Sequence, residues 1–199
     1  MTELRLVSDD IGYGVFATEF IPQGTIVYVQ DPLEIVVSSV EYTLLNVQMQ
    51  QMVEKYSYIS SLGDRILSWD FGKYVNHRCD CNTMSTGWGF EIALRDIRQG
   101  EEITDDYGLF NLEYDMPVSC GCNRCRKFVR RNDIDMHYRA WDEKIQHAMA
   151  RVMRVEQPLL SVIDADVWAS VTAFSQGRAP YISVMELKHE PCEEKMMVS

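Results

Sequence analysis

Tyr74-Val75-Asn76-His77-Arg78-Cys79-Asp80-Cys81-Asn82 is the stretch whose reading decides this chain. It holds an Asn-His pair, two cysteines and a second Asn. Alone, it fits a turn that happens to carry spare thiols. Three other stretches answer it. They are Gly12-Tyr13-Gly14, Gly100-Glu101-Glu102-Ile103-Thr104-Asp105-Asp106-Tyr107-Gly108, and Cys120-Gly121-Cys122-Asn123-Arg124-Cys125. If the four meet in space, they form one site.

The totals narrow the classes. A chain of 199 residues, 46% of them hydrophobic, supports one domain or one domain with a small appendage. It has no apolar run of about 18 residues, so no membrane helix is expected. Met1-Thr2-Glu3-Leu4-Arg5 lacks the apolar stretch of a signal peptide, so intracellular residence is expected, cytoplasmic or nuclear. A net charge of -11 repels nucleic acid, and no direct binding to it is expected. The one basic cluster, Arg124-Arg126-Lys127-Arg130-Arg131, reads as a solvated segment beside a metal loop. Acidity favours basic partners, mainly through encounter rate. Six cysteines without a signal peptide argue for metal or catalysis rather than disulfides. Cys192 stands alone in an acidic tail and receives no role.

The chain opens with short β candidates at Leu4 to Val7, Tyr13 to Thr18, Thr25 to Val29 and Glu34 to Val37, parted by turn residues. From Val40 to Tyr56 the pattern turns helical, with Ser39 as cap and Leu45, Met49, Met52 and Tyr56 as a packing stripe. Trp88 to Leu94 reads as a strand. After Cys125 the helical pattern returns. Ile134, Tyr138, Trp141, Ile145 and Val152 share a face, with Asn132 as cap. A second helix is expected from Pro158 through Leu160, Ile163, Val167, Val171 and Phe174, stopped by Gly177.

Cys120, Cys122 and Cys125 offer three corners of a tetrahedral zinc site. The fourth comes from Cys79 or Cys81, with His77 as a further option. Four thiolates leave no open position, so such a zinc is structural. Gly12-Tyr13-Gly14 lets backbone approach a ligand closely, or makes a tight hairpin. It lacks the third glycine and following helix of a dinucleotide-binding loop. Glu101, Glu102, Asp105 and Asp106 read mostly as a solvated acidic rim.

Together, the four motifs resemble the SET-domain family of S-adenosylmethionine-dependent protein lysine methyltransferases. Gly12 to Ala17 with Ile21-Pro22-Gln23-Gly24 is similar to its first motif. Lys73 to Asn82 follows its Arg-Phe-x-Asn-His-Ser-Cys-x-Pro-Asn in register, and Gly100 to Gly108 follows its Gly-Glu-Glu-Leu-Thr-x-Asp-Tyr-Gly. Cys120 to Cys125 resembles the post-SET zinc loop. The resemblance runs from about Arg5 to Phe128. It implies a mainly β α+β fold, a β-clip in which the second and third motifs pass each other as a pseudoknot. With it go domain limits: a SET domain over 1–118 with a helical insert at about 40–70 and the zinc loop over 119–129, followed, from the helical pattern and the acidic composition, by helices over 130–187 and a disordered acidic tail over 188–199.

By the same resemblance, Gly12, Tyr13, Gly14, Lys73, Tyr74, Asn76, His77, Tyr107 and Phe128 hold S-adenosylmethionine. Tyr107 is the catalytic tyrosine, and Cys79 joins Cys120, Cys122 and Cys125 on zinc. The implied substrate is a lysine on a basic protein or peptide, histone or other. The alternatives are a binding module with this fold but little activity, and an unrelated zinc scaffold. The departures are Asp105 where Tyr or Phe is usual, Lys73 for Arg, Cys81 for Pro, and Lys127 where Gly is common. Asp105 occupies a position tied to the number of methyl groups added, so product state does not carry over. The helices after Asn132 lie outside the resemblance. Packing on the domain, substrate selection and a homodimer contact are the roles open to them.

Overall fold

The computed structural model describes residues 1–190. The chain opens with a hairpin of β1 (Thr2–Ser8) and β2 (Gly12–Ala17). Its turn is built by Ser8, whose Oγ accepts from the Ile11 N–H at 3.1 Å, and by Gly12 at φ 86°. Next come β3 (Ile26–Val29) and β4 (Ile35–Val37), then α1 (Ser39–Leu44) and α2 (Val47–Tyr56), then β5 (Ser57–Ile59) and β6 (Arg65–Leu67). A 3-10 turn over Phe71–Tyr74 leads into β7 (Asn76–His77), β8 (Thr83–Ser85), β9 (Phe90–Ala93) and β10 (Glu102–Asp105). After a second 3-10 turn, Tyr107–Leu109, come β11 (Met116–Pro117), β12 (Phe128–Val129), α3 (Asp133–Met149) and α4 (Ala165–Ser175). The strands make four small sheets, ordered β1-β2-β10-β7, β3-β9-β8, β4-β6-β5 and β11-β12.

β10 is the strand that assembles the site. On one side it runs antiparallel to β2, pairing Ile103 with Val15. On the other it runs parallel to β7, pairing Thr104 with Asn76 and Asp105 with His77. Strands this short have few ladder bonds, and one side chain supplies more. Asn82, buried, accepts the Thr104 N–H at 2.9 Å and donates to the Glu102 carbonyl at 2.8 Å. Each such buried bond contributes about 1 kcal/mol net. The second and third motifs thus lie side by side as the expected pseudoknot requires.

The main core joins β3, β8 and β9 to the C-terminal helices through Ile26, Met84, Phe90, Ile92, Ile134, Trp141, Ile145 and Met149. A smaller core of Val15, Ile21, Ile97 and Ile103 lies around β2 and β10. α3 packs closely enough on the second 3-10 turn that a Cβ on Gly108 would stand 2.8 Å from the Trp141 ring. Burying each large apolar side chain contributes about 1.5–3 kcal/mol, so α3 is part of the domain's own core.

Several expectations are corrected. The segment Val40 to Tyr56 is two helices, broken at Leu45 because Asn46 caps the second through Met49 N–H at 2.9 Å. Ser38, not Ser39, caps the first in a reciprocal arrangement with Glu41. The stripe on these helices is not packing: Met49 and Met52 are 51% and 56% exposed, and Val53 is the residue α2 buries. Asn132 occupies the cap position of α3 without a side-chain bond.

Pro158 does not start a helix. Gln157 ties that region down by donating to the Gly24 and Val152 carbonyls at 2.9 and 2.8 Å, and α4 begins only after Asp164 caps Asp166 and Val167. Gly177 ends α4 with φ 68°, as expected. Of the acidic tail, Lys188 reaches back to Asp135 at 2.8 Å. Residues 191–199, Cys192 among them, lie outside the described residues. Among the described residues no helix is long and apolar enough to cross a membrane.

Candidate active site

The Gly-Tyr-Gly turn and the Asn-His pair meet across β10. Asn76 Nδ2 donates to the Tyr13 carbonyl at 3.2 Å and to Glu102 Oε1 at 2.8 Å. Gly14 is where no side chain fits: a Cβ there would lie 2.5 Å from Glu102 Oε1 and 2.9 Å from Asn76 Nδ2. At Gly12 a Cβ would meet open space. Tyr74 sets its ring edge-on against Tyr13 at 6.3 Å and Tyr56 at 5.7 Å. Lys73 caps the preceding turn through the Trp69 carbonyl at 3.3 Å. Phe128 sits apart from these on the β11–β12 ribbon, exposed, with Arg130 over its ring.

His77 points the other way. Its Nδ1 accepts the Tyr107 N–H at 3.2 Å. Burial holds its pKa below the usual histidine range, against the opposing pull of Asp106, so the ring is neutral. With Nδ1 accepting, the proton stands on Nε2, which lies 3.3 Å from Cys79 Sγ and donates to it. His77 therefore serves the thiol cluster as a donor to sulfur. Tyr107 stacks on Phe110 at 5.0 Å and donates its hydroxyl to the Val75 carbonyl at 2.7 Å. Burial, reinforced by Asp105, Glu91 and Glu102, pushes its phenol well above the ordinary range. Tyr107 keeps its proton and faces a cavity of about 410 Å³.

The acidic segment is not a solvated rim. Asp105 and Asp106 are both 0% exposed. Asp106 is gripped by Arg126 through two bonds, at 3.0 and 2.5 Å, and Arg126 also reaches Asp133 at 3.5 Å. Arg126 is thus a half-buried clamp from the cysteine loop to β10 and α3, where the sequence reading placed a solvated cation. Its neighbours Arg124, Lys127, Arg130 and Arg131 are exposed as expected. Lys127 takes φ 68°, the left-handed region, which explains why its position suits glycine.

The thiols gather at the end of β7. Cys120 Sγ lies 3.4 Å from Cys122 Sγ, and Cys79 Sγ accepts the Arg126 N–H at 3.4 Å. His77, Cys79 and Cys120 bring ligand atoms within 4.8 Å of one another. Burial raises the Cys79 thiol to about 12. Burial also works to raise Cys120, but hydrogen bonds from the Cys79 and Cys122 backbone bring it down to about 6. Cys125 donates to the Val118 carbonyl at 3.6 Å. Cys81 lies buried in the main core instead. The wall residues of the cavity, Tyr28, Tyr58, Glu91 and Phe110, escaped the sequence reading because they come from strands far apart in the chain. For Glu91, the alternation along β9 was the only signal.

A site of this construction, on a strand crossing flanked by a glycine turn and a thiol loop, belongs to a known class. Residues 12–108 match the family model described as the SET domain. The chain is 27% identical over 140 residues to the putative histone-lysine N-methyltransferase ASHH4 of Arabidopsis thaliana, covering 63% of this chain and 39% of that protein. It is 37% identical over 73 residues to histone-lysine N-methyltransferase trithorax of Drosophila virilis, covering 33% of this chain and 2% of that protein. A solved structure of KRYPTONITE in complex with mCHG DNA and SAH matches with a TM-score of 0.46 at 21% identity, covering 65% of this chain and 29% of that one. The chain thus spans well under half the length of these relatives. Residues 12–108 thus form a SET domain.

Proposed function

We propose that this protein is an S-adenosylmethionine-dependent protein-lysine methyltransferase in which Tyr107 orients the substrate amine. The observation that carries the reading is Tyr107 itself: a protonated phenol, anchored on the Val75 carbonyl, at the wall of a cavity beside the β7–β10 crossing. Gly12, Tyr13, Gly14, Lys73, Tyr74 and Asn76 are the residues that would hold the methyl donor, with His77 contributing its backbone only, since its ring serves the thiols, and with Phe128 standing apart on its ribbon. The side-chain-free edge at Gly12 and Gly14, with the Asn76 amide beside it, fits a ligand approaching backbone. When bound, the donor supplies a methyl group on a sulfonium, already electrophilic.

The protein's task is the amine. Holding a lysine neutral at pH 7 from a pKa near 10.4 costs roughly 4.6 kcal/mol. Apolar cavity walls at Val75, Phe110, Leu112 and Met116 disfavour the ammonium and lower that cost. Alignment in the cavity supplies much of the remaining acceleration. Zinc, held by Cys79, Cys120, Cys122 and Cys125, would have no part in chemistry. It would fasten the loop carrying Arg126 and Phe128 over the site.

The test is transfer of a labelled methyl group to lysines of a core-histone mixture and of a lysine peptide array. Wild type is expected to label lysine, and Tyr107→Phe to fall by about 100-fold or more. Full activity in Tyr107→Phe overturns the role given to that residue. A second reading, a binding module of the same fold, is favoured by the acid at position 105. It predicts no methyl transfer and no thermal stabilisation by saturating S-adenosylmethionine, whereas the first predicts a rise in Tm.

A further inference from the structure

Two acids beside Tyr107 have no part in the reading above. Glu91 stands on β9, between Tyr28 of β3 and Ser85 of β8, and lines the Tyr107 cavity together with Tyr28 and Tyr58. Asp105 ends β10 and is 0% exposed. Its Oδ1 takes the Asp106 N–H at 2.6 Å, and its Oδ2 is buried without a hydrogen-bond partner. The charge of nearby Glu91 helps to hold a proton on Asp105. Among the described residues no lysine, arginine or histidine makes an ion pair with either acid.

Burial pushes Asp105 well above the usual carboxylate range, with the Glu91 charge adding to it, and burial raises Glu91 to about 7. At neutral pH Asp105 then keeps its proton and Glu91 is about half ionised, its charge growing as pH rises above 7. That charge lies at the wall of a cavity that Lys55 and Lys73 also line, among tyrosine rings and without an ion pair to either lysine. Glu91 and Tyr107 line the same cavity, and both acids help push the Tyr107 phenol up. A half-buried carboxylate without an ion pair is costly and suits a cationic ligand. Aromatic faces around it suit the same kind of ligand.

We propose that Glu91, backed by Asp105, receives the ammonium of the substrate lysine and takes a proton from it. This rests on the methyltransferase reading for its substrate. An N–H bond of the ammonium breaks, its electron pair stays on nitrogen, and the proton joins Glu91. The nitrogen pair then forms the N–CH3 bond as the S–CH3 bond of the sulfonium donor breaks, its electrons going to sulfur. The amine leaves as a methylammonium, and Glu91 releases its proton to water at the cavity mouth. Burial makes the transfer easier from both sides, since it disfavours the ammonium and the carboxylate alike.

The direct probe is n-butylamine hydrochloride, a lysine side chain without its peptide, with 1-butanol as the neutral control. The full-length protein and Glu91→Gln are titrated with each, following backbone NMR signals around Tyr107. Wild type is expected to bind the ammonium at least tenfold more tightly than the alcohol, and Glu91→Gln to lose that preference. Equal binding of the two probes by wild type, or an ammonium preference surviving in Glu91→Gln, overturns the site. In methyl transfer to core histones, kcat of Glu91→Gln is expected to fall at least tenfold while affinity for S-adenosylhomocysteine stays within twofold. An unchanged kcat overturns the proton-accepting role. Asp105→Asn is the second variant and is expected to keep the ammonium preference; its loss there overturns the assignment of the site to Glu91. A wild type that transfers no methyl group but still prefers the ammonium defeats the proposed function alone.

Discussion

A methyl group added at Gly14 would collide with both Glu102 and Asn76, the pair that holds the glycine turn against the Asn-His stretch. Gly14→Ala is therefore expected to weaken S-adenosylhomocysteine binding at least tenfold by calorimetry, and unaltered binding would remove the turn from the proposed cofactor site. Glu91 supports a prediction on stability. Its pKa is raised by burial from 4.5 to about 7 in the folded protein. Between those values the folded state binds more protons than the unfolded one, so stability falls as pH rises through that window. Removing the charge should reverse this. Glu91→Gln is expected to be more stable than wild type at pH 8 by up to about 3 kcal/mol, with the gain vanishing near pH 4. Urea melts at the two pH values measure it, and a Gln variant less stable at pH 8 would mean Glu91 is not held against its charge. The Asn-His pair and Tyr107 were legible from their motif neighbours. Glu91 was not, because nothing in the order of residues says that position 91 faces position 105.

At the scale of elements, the cysteine loop and β10 are held by Arg126 as well as by thiols. Arg126→Ala leaves Asp106 and Asp133 buried with their cation gone, since both are almost fully enclosed. Breaking a buried pair from one side costs about 3–5 kcal/mol, so a loss of that size is expected in urea unfolding. A change below about 1 kcal/mol would show that the guanidinium is solvated, as the sequence reading had it. That reading went astray because a run of basic residues looks uniform along the chain. Only the turn at Lys127 directs one of them inward and leaves its neighbours outside. The helical insert misled for a similar reason. Its Met stripe has helical spacing, but the short helices bury only Val53, so periodicity marked a helix without marking a core.

At the scale of the molecule, the C-terminal helices and the strands unfold together if they share one core. Trp141→Ala is expected to cost about 3–5 kcal/mol and to lower the unfolding midpoint of the whole domain, in a single transition. A separate low-temperature transition for the helices would contradict a shared core. Removing metal with a chelator is expected to lower Tm and expose the Val118 to Lys127 segment to protease, with zinc restoring both. No shift on chelation would deprive the four thiols of their proposed role.

The order of motifs in the sequence was enough to establish the SET-domain fold and the crossing of its second and third motifs. That is because each motif carries backbone and hydrogen-bonding demands that act over a few residues: glycine at a close approach, Asn at an unpaired carbonyl, cysteine at fixed intervals. What only the tertiary structure decided depends on pairings between distant segments. It set Cys79 beside Cys120 while burying Cys81, turned Arg126 inward onto Asp106, and brought Glu91 against Asp105. Burial and charge are properties of what surrounds a residue in space, and the surroundings come from strands that the chain reaches only by folding.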